Sequence, residues 1–173
     1  LRTALAGQAI DILVALHSID VASTVLAGSK PPPSMSLEGL HRLFCRLEPL
    51  PPAVHAAFWW LERHRPPPSL RSTIGHGDYR MGNMVVEGAR ITGILDWEMA
   101  APGDPLADLV WCFLPVWEAS GVDDEPWIRR YAELTGVTFD REQVAWHRAF
   151  SLLRLTYYAL AGARAFDSGA SND

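Results

Sequence analysis

His76-Gly77-Asp78-Tyr79-Arg80-Met81-Gly82-Asn83, followed after a short β-rich stretch by Ile94-Leu95-Asp96-Trp97-Glu98, is the part of this 173-residue sequence that decides its fold. Between the two segments, Met84-Val85-Val86 and Ile91-Thr92-Gly93-Ile94-Leu95 are joined by Glu87-Gly88-Ala89-Arg90, a Gly-containing connection of hairpin length. A hairpin returns its second strand to the start of its first. Asn83, ahead of strand one, and Asp96, after strand two, are therefore expected as neighbours. An amide oxygen and a carboxylate then converge, a donor set that suits Mg²⁺, which takes oxygen ligands and keeps waters and substrate phosphates in its shell. Asp78 lies on the loop feeding the same place, where a carboxylate can orient an attacking hydroxyl in line and accept its proton. Arg80 adds a fixed positive charge close by.

Outward from this segment the chain reads as mainly helical. Apolar residues Leu5, Ala9, Ile12, Leu13 and Leu16 recur at helical spacing and predict a helix ending near His17 or Ile19. The Pro-rich stretch at residues 28–34 can be neither helix nor central strand and reads as a loop. Leu37, Leu40, Phe44 and Leu47 mark a second helix. Val54, Phe58 and Leu61 mark a third, which stops at Arg65-Pro66-Pro67-Pro68. Arg71 to Ile74 predicts a short extended entry to the Gly75–Asp78 loop. Downstream, Asp104-Pro105 matches an N-cap with proline at the first helical position, and Leu106 to Trp117 carries an apolar stripe that Pro115 should kink or end. Asp140 with Gln143 three positions on resembles a capping box before a long helix to about Ala165. Ser168 to Asp173 reads as a frayed end.

Composition excludes several classes. Fifteen basic against twenty acidic residues give a formal charge of -5, so no broad basic face is available to a nucleic-acid backbone. Cys45 and Cys112 form no metal or redox motif and fit a reducing cytoplasm. No apolar run approaches the roughly 18 residues of a membrane span, and no leader pattern opens the chain.

The string His76-Gly77-Asp78 with Asn83, then Leu95-Asp96-Trp97-Glu98, Gly103-Asp104-Pro105 and Asp108-Leu109, resembles the aminoglycoside phosphotransferase family of small-molecule kinases. The Tyr79-Arg80 and Asp96-Trp97-Glu98 forms are most similar to its branch of kinase domains associated with acyl-CoA dehydrogenases. The resemblance implies an α+β fold, a protein-kinase-like C-terminal lobe over residues 1–173, mainly helical with a small β-hairpin carrying the metal site. It implies that Asp78 is the catalytic aspartate, that Asn83 and Asp96 hold Mg²⁺ against the phosphates of ATP or GTP, and that Arg80 faces the transferred phosphate. His76 would brace the catalytic loop, and Asp108 would anchor its backbone. The expected partners are a nucleotide, a small-molecule hydroxyl acceptor and the N-terminal lobe of the same parent protein. Family members carry their phosphate-covering loop and its lysine in that lobe. Here no Gly-rich loop follows a strand, and Lys30, the only lysine, sits beside three prolines. The chain alone is expected to be inactive.

Two other functions fit the same residues: a metal-dependent hydrolase that activates water, and a kinase-like binding or regulatory module without catalysis. Glu98 reads equally as a metal-shell or solvent-facing acid, and Asp104 as a helix cap. His17, His41, His55, His64 and His147 read as scattered helix residues, Arg129-Arg130 as a solvated helix face, and the seven tryptophans as core or groove packing.

Overall fold

The computed structural model describes residues 2–67, 71–117 and 124–169. Pro68 and the expected frayed end from residue 170 onward lie outside the described residues, whereas Ser168 and Gly169 form a turn.

The first helix, α1 (Arg2–Ser18), buries Leu5, Ala9, Leu13 and His17, one residue per turn, together with Ile10. The buried face is rotated from the expected one: Ile12 and Leu16 sit at its edge. The loop at residues 28–34 ends in a 3-10 turn, Pro33–Met35, and leads into α2 (Leu37–Phe44), whose N-cap Ser36 accepts the Gly39 N–H. This helix ends earlier than the Leu37–Leu47 stripe predicts, its last turn tightening to 3-10 at Cys45–Leu47. The third helix, α3 (Pro52–Arg63), buries Val54, Phe58 and Leu61 as expected.

The β structure is two small antiparallel pairs. Strands β2 (Met84–Glu87) and β3 (Arg90–Ile94) form the expected hairpin, with Gly88 at positive φ in the turn and a bulge between Val85 and Val86. The extended segment near Ile74 becomes β1 (Thr73–Gly75). Its partner is β4 (Ala101–Gly103), a strand with no sequence signal because Ala-Pro-Gly has low β propensity. The pair frames the Gly75–Met99 segment at both ends.

Asp104 caps α4 (Pro105–Cys112) through the Leu106 N–H, with Pro105 at the first position. That helix ends before Trp117. Pro115 disfavours helical backbone at Leu114 and opens a separate 3-10 turn, Pro115–Trp117. After α5 (Glu125–Thr135), the capping box at Asp140 and Gln143 is formed in both directions and starts α6 (Arg141–Asp167). No described helix is long and apolar enough to cross a membrane. Cys45 is exposed and Cys112 buried.

Buried side chains gather in two clusters. One joins α1, the β2–β3 hairpin, α4 and α5 around Ile10, Leu13, Leu109 and Tyr131. The other joins α2, α3 and α6 around Leu40, Phe44, Phe58, Leu61, Trp146 and Phe150. Arg130 pairs with Asp11 at 2.6 Å and ties α5 to α1 at the surface. Leu40→Ala, at a fully buried site, should cost roughly 2–5 kcal/mol by transfer and cavity formation. Trp59→Ala, at a side chain 60% exposed, should cost about 1 kcal/mol or less. Urea denaturation of both variants checks the contrast.

Candidate active site

The loop between β1 and β2 is anchored through its backbone N–H groups by an acid on α4. Asp108, 1% exposed on α4, accepts the His76 N–H at 2.6 Å and the Gly77 N–H at 2.9 Å. Behind it stands His17, whose Nε2 lies 3.8 Å from Asp108 and whose Nδ1 meets the Tyr131 hydroxyl at 2.8 Å. Burial pushes the Tyr131 phenol up to about 12, so it remains a neutral partner. His17 is thus a buried part of the site's support, as opposed to a scattered helix residue. His147 likewise is buried, with Nε2 3.7 Å from Asp104. His41, His55 and His64 are exposed.

His76 is fully buried and joins the two halves of the motif. Its Nδ1 accepts the Asp78 N–H at 3.2 Å, so Nε2 carries the proton and donates to the Leu95 carbonyl at 2.9 Å. The Leu95 N–H donates to the Asn83 carbonyl at 2.8 Å, which sets Asp96 beside Asn83 along the backbone. Gly77 has φ +83, and a Cβ there would stand 2.7 Å from the Met99 Cβ and 2.8 Å from its carbonyl oxygen. Only glycine fits. Asp96 has φ +66, a conformation that aspartate tolerates better than most residues and that points to a constrained site.

The Asp78 carboxylate is fully dressed with donors. Trp111 Nε1 donates to Oδ1 at 2.7 Å, Asn83 Nδ2 donates to Oδ2 at 2.7 Å, and Arg80 Nε bridges both oxygens at 3.2 and 3.1 Å. Arg80 also lies over the Trp117 ring at 5.0 Å. Asp78, Arg80, Asp96 and Glu98 line one open cleft of about 290 Å³, with Trp111, Arg154 and Tyr158 in its wall. Asn83, buried beneath, is absent from the lining. Among the described residues no three His, Cys, Asp or Glu side chains gather as a metal cluster. Asp96 has no hydrogen-bond or ion-pair partner there, which leaves its carboxylate available to a cation.

Two site residues escape the sequence reading. Trp111 lies three positions after Asp108 on α4, on the same helical face, and that spacing was the available signal. Arg154 comes from α6: its Nη2 donates to the Gly77 carbonyl at 3.0 Å, and its guanidinium stacks 4.2 Å from the Trp111 ring centre. No local pattern marks it. Of the other tryptophans, Trp59 and Trp97 are exposed instead of forming core, Trp97 packing on His76 at 4.5 Å. Asp104 is a cap, as expected. Burial alone would raise its carboxyl, but the His147 contact and the Leu106 N–H outweigh it and hold the group below the ordinary range.

The family model described as the phosphotransferase enzyme family matches residues 1–147. The chain belongs to that family. Among curated proteins, this phosphotransferase-family chain is 31% identical over 109 residues to chicken (Gallus gallus) acyl-CoA dehydrogenase family member 11, covering 60% of this chain and 14% of that protein. It is 38% identical over 65 residues to mouse (Mus musculus) acyl-CoA dehydrogenase family member 10, covering 36% of this chain and 6% of that protein. The chain therefore spans a small part of the curated relatives it matches. Among solved structures, a Ralstonia eutropha protein provisionally described as an aminoglycoside phosphotransferase superposes with TM-score 0.80 at 22% identity, over 99% of this chain and 59% of that one. Macrolide 2'-phosphotransferase MphH from Brachybacterium faecium superposes with TM-score 0.66 at 23% identity, over 96% and 57%. A thermostable mutant of aminoglycoside phosphotransferase APH(4)-Ia, solved with ADP and hygromycin B, does so with TM-score 0.66 at 18% identity, over 97% and 61%. These likenesses establish a kinase-like phosphotransferase fold of α+β class.

Two outcomes follow for this site. In Asp108→Ala the His76 and Gly77 amides lose a charged acceptor, a loss of roughly 1.5–3 kcal/mol, and their hydrogen exchange should accelerate at least about tenfold relative to core amides in α4. Asp104 contributes stability that is complete above the ordinary carboxylate pKa of about 3.9 and is lost as pH falls through its lower native value. Asp104→Asn, which keeps the cap oxygen, should therefore show a shallower loss of stability below about pH 4 in acid denaturation.

Proposed function

We propose that this chain is the catalytic and acceptor-binding lobe of an ATP-dependent phosphotransferase that transfers the γ-phosphate to a hydroxyl of a small molecule. Asp78 carries this reading. Its carboxylate is locked in one orientation by Trp111, Asn83 and Arg80 at the floor of an open cleft, the arrangement expected of a group that aligns an acceptor hydroxyl. With both oxygens already accepting hydrogen bonds, Asp78 acts first by orientation. It takes the hydroxyl proton as Arg80 swings from its carboxylate toward phosphate.

Asn83 and Asp96 would hold Mg²⁺, and the residues present fit it: both offer hard oxygen donors, the Asp96 carboxylate is unengaged among the described residues, and Glu98 lines the same cleft. The ion, when bound, neutralises phosphate charge. His76 keeps the two acid-bearing segments together, and Asp108 keeps the loop's N–H groups satisfied. Nucleotide use is supported by family membership and by the ADP-bound relative of like fold. We place the phosphate-covering loop and its lysine outside these 173 residues, in an N-terminal lobe of the parent protein, consistent with the 59% of the Ralstonia structure that the chain spans. The cytoplasm is the proposed location.

The test is an acceptor screen with Mg-ATP on the parent protein. Asp78→Ala and Asp96→Ala should each lower transfer by about 10²-fold or more, and the 173-residue chain alone should show negligible turnover. Wild-type turnover in both variants would overturn the roles assigned. ATP consumption that needs no acceptor would identify a hydrolase instead.

A further inference from the structure

Gly82 has no backbone reason to be glycine. It lies exposed in the 3-10 turn Met81–Asn83 and lacks the positive φ of Gly77. Outside its chain neighbours, the three atoms nearest a Cβ at this position all belong to the Arg80 guanidinium. The Cβ would run into Nη1 and stand 3.3 Å from Cζ and 4.0 Å from Nη2. The missing side chain therefore makes room for a cation.

Two other elements close around the same group. Arg80 Nε donates to the Asp78 oxygens at 3.2 and 3.1 Å, and its Cζ lies 5.0 Å from the centre of the Trp117 ring. That ring is itself tethered, its Nε1 donating to the Trp111 carbonyl at 2.8 Å, while the Trp111 indole donates to Asp78 at 2.7 Å. One tryptophan thus holds the acid and the other the cation paired with it. The Arg80 side chain is 32% exposed, and an ion pair so open to water is weak enough to exchange partners. Only part of the guanidinium is spent. Among the described residues neither Nη group donates a hydrogen bond, which leaves both for the oxygens of a phosphate.

We infer that Gly82 and Trp117 are positioning residues that form a seat for the Arg80 guanidinium, and that this seat sets how readily Arg80 leaves Asp78 for a phosphate. The inference rests on the roles given to Asp78 and Arg80 in the phosphotransferase reading. While Arg80 is seated, its N–H occupies the carboxylate oxygens that an acceptor hydroxyl must reach. An anion in the cleft competes for the same guanidinium, and an Arg80 that turns toward it uncovers the acid. Arrival of the phosphate is thereby coupled to release of the proton acceptor. The anion can shift Arg80 only by its advantage over the seat, so the seat's strength decides the balance between the two positions.

Nuclear magnetic resonance of the 173-residue chain tests the seat, with the Arg80 Nε–H and Trp111 Nε1–H signals followed in Gly82→Ala, Trp117→Leu and Trp117→Phe. Exchange of the Arg80 Nε–H with water should quicken at least about fivefold in Gly82→Ala and about two- to fivefold in Trp117→Leu, which loses the ring face. Trp117→Phe keeps a ring without the indole N–H and should fall between Trp117→Leu and wild type. The Trp111 signal should exchange as in wild type throughout, which a general loosening of the cleft would not allow. Pyrophosphate should shift the Arg80 signal saturably and bind about two- to fivefold more tightly to Gly82→Ala and Trp117→Leu than to wild type, since neither holds Arg80 back. A purely structural role would weaken that binding. Gly82→Ala, at an exposed site of ordinary φ, carries the test should Trp117→Leu not fold. Unchanged Arg80 exchange in Gly82→Ala, weaker pyrophosphate binding in a folded variant, or an Arg80 signal indifferent to pyrophosphate would overturn the inference. All of these are read without turnover, so a failure of the seat is distinct from a failure of the acceptor screen.

Discussion

The pairing of the Asp108 carboxylate with the N–H groups of His76 and Gly77 is the contact on which the site depends. The loop must turn sharply between β1 and the 3-10 turn at Met81–Asn83, so its own backbone cannot satisfy those donors, and burial denies them water. One carboxylate meets both and is itself kept from being an isolated buried charge by them, with His17 close behind. Once the loop is seated, the remaining geometry follows. His76 can reach Leu95, the hairpin is clamped at its base, and Asp78 is presented to Trp111.

Charge in the site is thereby arranged in depth. Tyr131 and His17 form the innermost layer, Asp108 the next, then the loop amides, and at the surface of the cleft Asp78 with Arg80. Asp108 restrains the loop, and Trp111 and Asn83 restrain Asp78, through short hydrogen bonds instead of through apolar packing, which would leave the carboxylate free to choose among rotamers; His17 stands 3.8 Å behind Asp108. Burial pushes the Tyr79 phenol well up as well, with the Cys112 and Asp108 charges adding to the effect, and its hydroxyl donates to the Ala9 carbonyl at 2.7 Å. The loop is so joined to α1 from its other side.

Much of this was legible in the sequence wherever the cause is local. The hairpin, the Asp104 cap and the Asp140–Gln143 box depend on residues a few positions apart, and each formed where the sequence placed it. The hairpin's closure also made the nearness of Asn83 and Asp96 readable. What escaped depends on long-range approach. β4 exists because β1 lies beside it, and Arg154 joins the site from 77 positions away. His17 and His147 look like any helical histidine until packing decides which face is inside. The early end of α2 is of another kind, since an apolar stripe continues through a 3-10 turn as readily as through an α-helix, whereas Pro115 marked the end of α4 in the sequence.

The division of the interior into two apolar clusters carries a consequence for how such proteins diversify. α2 and α3 pack on each other and on α6, whereas the residues around Asp78 are seated on α1, α4 and the hairpin. Substitutions in the α2–α3 pair therefore reach the Asp78 cleft only through α6, which lends it Arg154, Leu155 and Tyr158. A lineage built this way can vary its α2–α3 half and keep the groups around Asp78 in register.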